Sequence, residues 1–241
     1  MSFLRLGSIG LAVLLAACVG PGTPPPSDIE IRDRSVFQPG MRVGANLRGE
    51  ADAPSHLPGG LGFEFGAMHA SGEGRQTLAA GQPPVKFADR TFGSGQELRH
   101  EFDFSFFDFS YRVRHYFDGG PIGVEALGGV AYSKLDLTVS SATQGGRDSL
   151  PSAGLLVNVG VLWRVRRGTT LHSRMSMYDS LPTDGVEKAS RLEAAVVQAI
   201  GRNLAVRGGY ATWRLETDDD SSRSTVKMRY SGPSLGLELA F

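Results

Sequence analysis

The sequence predicts an all-β chain, an antiparallel up-and-down β-barrel of eight to ten strands whose apolar rows face a membrane. Three observations carry this. Period-two alternation of apolar and polar residues begins at Met41 and continues almost to Phe241, with no competing helical period. The connections alternate between short turns and longer polar loops, as they do when every second loop lies on the same side of a membrane. Finally, the face opposite the apolar rows carries acids and arginines in near balance, the composition of a filled lumen.

The elements follow in chain order. Met41, Val43, Ala45 and Leu47 share one face, as do Leu61, Phe63, Phe65 and Ala67. The strongest segment is residues 97–117, ELRHEFDFSFFDFSYRVRHYF. There Leu98, Phe102, Phe104 and Phe106 lie on one face, and Phe107, Phe109, Tyr111, Val113 and Phe117 on the other, which predicts a β-bulge near Phe106–Phe107. After Asp118-Gly119-Gly120-Pro121 come Ile122, Val124, Ala126, Val130 and Tyr132, then a second slip before Leu135, Leu137 and Val139. Leu155 to Val165 alternate cleanly. Leu171 to Met177, Leu192 to Ile200, Leu204 to Tyr210 and Leu235 to Phe241 complete nine clear signals.

An even count is expected if both chain ends face the periplasm: either the Met41 strand lies outside an eight-stranded barrel, or the weak segment Val85 to Phe92 is a tenth strand despite Pro83-Pro84 beside it, and the second is preferred because it discards no clear strand. The lumen face is read as Glu64, Arg99, Glu101, Asp103, Asp108, Arg112, Arg114, Glu125, Asn158, Arg164, Arg174, Glu193, Arg207, Arg229 and Glu238. Stretches 71–94, 142–150, 181–186 and 217–222 are read as the longer external loops. Aromatics fall at two heights: Phe117, Trp163 and Phe241 beside the short turns, and Phe107 and Tyr132 across the hairpin. Ten residues at ~3.3 Å, tilted by about 40°, rise roughly 25 Å, the height of an apolar membrane band.

The N-terminus reads as a leader. Arg5 is the only charge before Cys18, and Gly10 to Ala17 form an apolar run too short to span a bilayer as a helix. The run closes on Leu15-Ala16-Ala17-Cys18, which resembles the lipobox of bacterial lipoproteins, in which the cysteine takes acyl chains such as palmitate and becomes the first mature residue. Cys18 is the only cysteine, so no disulfide framework exists. Val19, rather than Asp, resembles the outer-membrane-sorted class. The expected organisation is a signal peptide at 1–17, a Pro/Gly-containing periplasmic tether at 18–40 and a barrel at 41–241.

The terminal Leu235-x-Leu237-x-Leu239-x-Phe241 resembles the C-terminal signal read by the outer-membrane assembly machinery. As a pattern, residues 41–241 resemble small outer-membrane barrels of the OmpA and OmpX type. This resemblance implies a location in the outer membrane among its lipids and lipopolysaccharide, and a non-enzymatic envelope protein with exposed loops. A lipid A-modifying enzyme, a narrow solute channel and a periplasmic lipid-binding barrel are the alternatives.

The balance of 25 basic and 25 acidic residues gives no reason to expect nucleic acid. No protein partner is named by any motif. His172-Ser173 is the nearest local pair for nucleophilic chemistry, yet neighbours on a strand point to opposite faces. His100 with Glu101 and Ser105 is weaker. Gly232-Pro233-Ser234-Leu235-Gly236 fits a hydrolase spacing but lacks the helix that this elbow requires. Asp218 to Asp220 supplies too few ligands for calcium. No catalytic, cofactor-binding or metal-binding residue is therefore assigned; Cys18 is the one site residue.

Overall fold

A computed structural model describes residues 29–33, 35–49, 57, 59–81, 84–181, 185–219 and 224–241. Cys18, the expected leader and Asp220 lie outside them. The described residues are almost wholly β. The strands are β1 (Ile29–Asp33), β2 (Gln38–Gly49), β3 (Gly60–Thr77), β4 (Val85–Phe87), β5 (Arg90–Phe92), β6 (Glu97–Tyr116), β7 (Ile122–Ser140), β8 (Gly145–Arg166), β9 (Thr169–Ser180), β10 (Gly185–Ala199), β11 (Leu204–Asp219) and β12 (Ser224–Ala240). Ten of them form one sheet in the order β1-β12-β11-β10-β9-β8-β7-β6-β3-β2, in which β2 also pairs with β12.

Every pairing is antiparallel except two. β12 runs parallel to β1, from Ile29 beside Val226 to Asp33 beside Tyr230, and then parallel to β2, from Gln38 beside Ser234 to Gly44 beside Ala240. Phe241 continues this seam: its N–H donates to the Gly44 carbonyl at 2.9 Å, and its carbonyl accepts from the Asn46 N–H at 2.8 Å. The sheet has the ten strands expected, but not for the reason expected, because the strands that flank β12 run parallel to it and parity then sets no even count. Residues 85–92 are not a tenth strand of the sheet; β4 and β5 form a hairpin of their own. The tenth member is β1, within the stretch expected to be tether.

No bulge separates Phe106 from Phe107. The ladder between β6 and β7 runs from Arg99 opposite Ser140 to Tyr116 opposite Gly123 without a shift, and that between β3 and β6 is equally unbroken. The sequence pattern changes because the two halves of the strand place apolar side chains on opposite faces. Phe102, Phe104 and Phe106 are buried, whereas Phe107, Phe109, Tyr111 and Val113 are exposed. The same inversion replaces the expected slip in β7, where Val130 and Tyr132 are exposed and Leu135, Leu137 and Val139 buried. β12 carries the same inversion, with Met228 and Tyr230 buried and Leu235 and Leu237 exposed along one unbroken ladder with β11.

The sheet thus has two halves. Towards the short turns, the exposed face is apolar: Val157, Val159, Val161, Trp163, Met175, Leu192, Val196, Tyr210, Leu235 and Leu237 all lie on it. Towards the long connections the exposed face is polar, and the buried face holds an apolar core. Trp213 packs on Phe104 and Phe106 with ring centroids 5.3 and 5.2 Å apart, and Phe106 on Tyr178 at 5.8 Å. Edge-to-face contacts of this kind add to the area that the rings bury.

The β4–β5 hairpin belongs to this core through Val85, Phe87 and Phe92, with Leu78 and Leu98. Much of what reads as loop is strand: β3 runs to Thr77 and β8 starts at Gly145. Arg99, Glu101, Asp103 and Arg229, expected in the lumen, are therefore on the exposed face, since they belong to the polar half.

Candidate functional site: a buried ion-pair layer

Behind the exposed apolar belt, the buried face carries charge. Glu64 (β3), Arg112 and Arg114 (β6), Glu125 (β7), Arg174 (β9), Glu193 (β10), Arg207 (β11) and Glu238 (β12) are all buried. Each sits on a strand position of one parity, so alternation delivers these side chains to one face.

Arg114 lies opposite Glu125 in the β6–β7 ladder, and its Nη2 reaches Glu125 Oε2 at 2.7 Å. Glu125 Oε1 accepts from Arg174 Nε at 2.7 Å, and Arg174 Nη1 continues to Glu64 Oε1 at 2.5 Å. Arg42 joins Glu64 at 2.7 Å to Glu193 at 3.4 Å. Arg207 holds Glu193 at 3.0 Å and Glu238 at 2.5 Å. Arg112 hydrogen-bonds the Asn46 side chain. Arg191 stands 3.3 Å from Glu193 and lies over the Trp213 ring, joining the ionic layer to the aromatic core.

Gly160 lies between Glu125 and Arg174 in the ladders; a Cβ there would stand 2.8 Å from Glu125 Oε1 and 2.9 Å from the Ser173 carbonyl oxygen. The bare backbone lets the two charges meet.

His172 occupies the middle. Its Nδ1 lies 2.8 and 2.9 Å from the two terminal nitrogens of Arg207, and its Nε2 lies 2.6 Å from Glu125 Oε1. A guanidinium only donates, so Nδ1 must accept and the ring proton sits on Nε2, donating to Glu125. The ring is held neutral, bridging one cation and one anion. Cavities of about 30 Å³ beside Gln38, Asp108 and Arg191, and of about 20 Å³ beside Leu57 and Arg112, each have room for roughly one water.

The residues singled out by sequence scatter. His172 faces the ion-pair layer and Ser173 the exposed side, so they do not meet. His100 is buried in the polar half, while Glu101 is exposed and Ser105 half-buried on the other face. Ser234 is buried within a continuous strand and donates to Glu193 Oε1 at 3.3 Å, with no helix after it. Asp218 and Asp219 end β11, and among the described residues no group of three or more metal-ligating side chains occurs.

One cluster was not legible in the sequence. His69 lies opposite Ser105 across β3–β6, with Nδ1 3.3 Å from Ser105 Oγ and 3.5 Å from Asp103 Oδ1. Both partners approach the same ring nitrogen, so the imidazole cannot pass a proton from one to the other as a triad requires. Comparison of the chain with protein-family models, curated proteins and solved structures returns no match.

Proposed function

We propose that this chain is an outer-membrane lipoprotein β-barrel, acylated at Cys18 and closed through the β2–β12 seam. In this reading it is a non-enzymatic envelope protein that carries a polar, capped head out of the bilayer. The single observation carrying the proposal is the inversion at mid-strand. Large apolar side chains stand on the exposed face at the level where arginines and glutamates are buried behind them. In water that arrangement exposes a patch far larger than soluble monomers tolerate. In hydrocarbon it is the favoured order, and backbone groups there need a partner on both sides of every strand.

The exposed aromatics support the placement. Phe117, Trp163 and Phe241 mark one rim of the belt, and Phe107 and Tyr132 the other. The filled interior supports an anchor rather than a channel, because salt bridges and the Trp213 cluster occupy the width that a solute would need. The head, with its hairpin cap and charged exposed face, is the surface offered to lipopolysaccharide or to a protein partner.

Assembly of the mature protein tests the reading. It should fold only in detergent or bilayers, float with phosphatidylcholine vesicles and resist carbonate extraction. A folded monomer in plain buffer would overturn it.

A further inference from the structure

Above the apolar belt, three arginines stand in one row across β11, β12 and β1. Arg214 is the ladder partner of Arg229, and Arg229 is the ladder partner of Arg32. All three are on the exposed face, for Trp213, Leu215, Met228, Tyr230 and Ile31 beside them are buried.

Like charges directly opposite on neighbouring strands repel. The next row outward is balanced, with Glu216 and Glu30 flanking Lys227. The arginine row is not. Arg32 turns to Glu30, its Nε 2.8 Å from Oε1. Among the described residues, no salt bridge engages Arg214 or Arg229.

The row also has a defined height. Tyr210 is the last large apolar residue on the exposed face of β11, and its hydroxyl donates to Ser231 Oγ at 3.1 Å. Arg214 follows four residues later, roughly 10 Å higher for a strand tilted by about 40°. With the Tyr210 ring at the interface, the guanidinium groups reach the level of lipid phosphates. β3 lies beside β1 at this level, with Asp33 close to Gly72, and from there the exposed face turns mixed: Glu73 is opposite Glu101 and Asp103 opposite Asp136, while Lys134 pairs with Asp136 and His69 lies beside Asp103.

Resting on the membrane reading above, we propose that Arg214, Arg229 and Arg32 form a binding site for the phosphate of an anionic lipid in the leaflet on the long-loop side. Guanidinium forks match phosphate oxygens in pairs. An anion between Arg214 and Arg229 removes their repulsion.

The full mature chain, reconstituted in phosphatidylcholine bilayers, tests this with spin-labelled phosphatidylglycerol and spin-labelled phosphatidylcholine as probes. The wild type should associate preferentially with phosphatidylglycerol, and less so at raised salt. R214Q/R229Q should lose roughly fivefold of that preference for each arginine removed, while E73Q/E101Q keeps it. R214K/R229K, which retains charge without the planar fork, should lose less and controls for assembly. Equal association of the two lipids with the wild type, or equal loss in E73Q/E101Q, overturns the site. Abolition of the preference by millimolar inorganic phosphate at constant ionic strength makes a soluble anion the ligand and overturns the lipid. Insertion without lipid preference defeats this site alone; failure to insert defeats the bilayer reading and the site with it.

Discussion

Phe106 and Phe107 are neighbours on one unbroken strand, and their exposures differ tenfold, 4% against 42%. Phe106 ends the aromatic core that runs down from the long-loop end. Phe107 begins the outward belt that continues to the short turns. The boundary between a head built like a soluble protein and a stem built inside out therefore falls between two consecutive residues.

The belt should be sensitive to charge where the head is not. Val159→Arg, in the middle of the apolar half, should cost about 2–4 kcal/mol of folding free energy in bilayers. Ser149→Arg, on the same face of β8 but in the polar half, should change stability by less than ~0.5 kcal/mol. Urea titrations in phosphatidylcholine vesicles, followed by tryptophan fluorescence, measure both. Equal effects would mean that no lipid contacts Val159.

The ion-pair layer should be intolerant of single deletions. Glu125→Gln leaves Arg114 and Arg174 short of a counter-charge and His172 short of its carboxylate, and should destabilise by roughly 3–5 kcal/mol. Combining it with Arg174→Met should recover part of the loss, because the second change removes a charge that the first has stranded. Denaturant midpoints of the two single variants and the double variant supply the cycle. Strict additivity would show that the Glu125–Arg174 contact contributes nothing.

The interior should not conduct. Planar-bilayer recordings of the wild type should show no stable open level. Deleting the β4–β5 hairpin should leave the membrane equally silent, since the arginine–glutamate layer lies below it. Steady large currents from either protein would require this layer to part.

Nine of the strands, though not their full extents, and the shared face of Glu64, Arg112, Arg114, Glu125, Arg174, Glu193, Arg207 and Glu238 were legible in the sequence, because alternation fixes which residues share a face. What alternation does not fix is which face looks inward. A sudden change of apolar face has two explanations, an inserted residue or an exchange of environments, and Phe106–Phe107 is the second. Register was equally hidden. The meeting of His69 with Ser105, and the row of Arg214, Arg229 and Arg32, depend on which residues stand opposite one another across strands. Ile29–Asp33 was concealed by its brevity and by the prolines before it.

The two strands that run alongside β12 in its own direction also decide where the chain enters and leaves. Ile29 stands level with Val226 near the long connections, whereas Phe241 lies at the short-turn rim. Cys18 is eleven residues ahead of Ile29, a reach of roughly 40 Å at full stretch. Fatty acids attached there would dip into the monolayer on the head's side, while the carboxyl terminus faces the opposite compartment. Protein and acyl group would then grip the bilayer from different surfaces, and a chain acylated at Cys18 in an outer membrane, with the head outward, would wear its anchor on the outside of the cell.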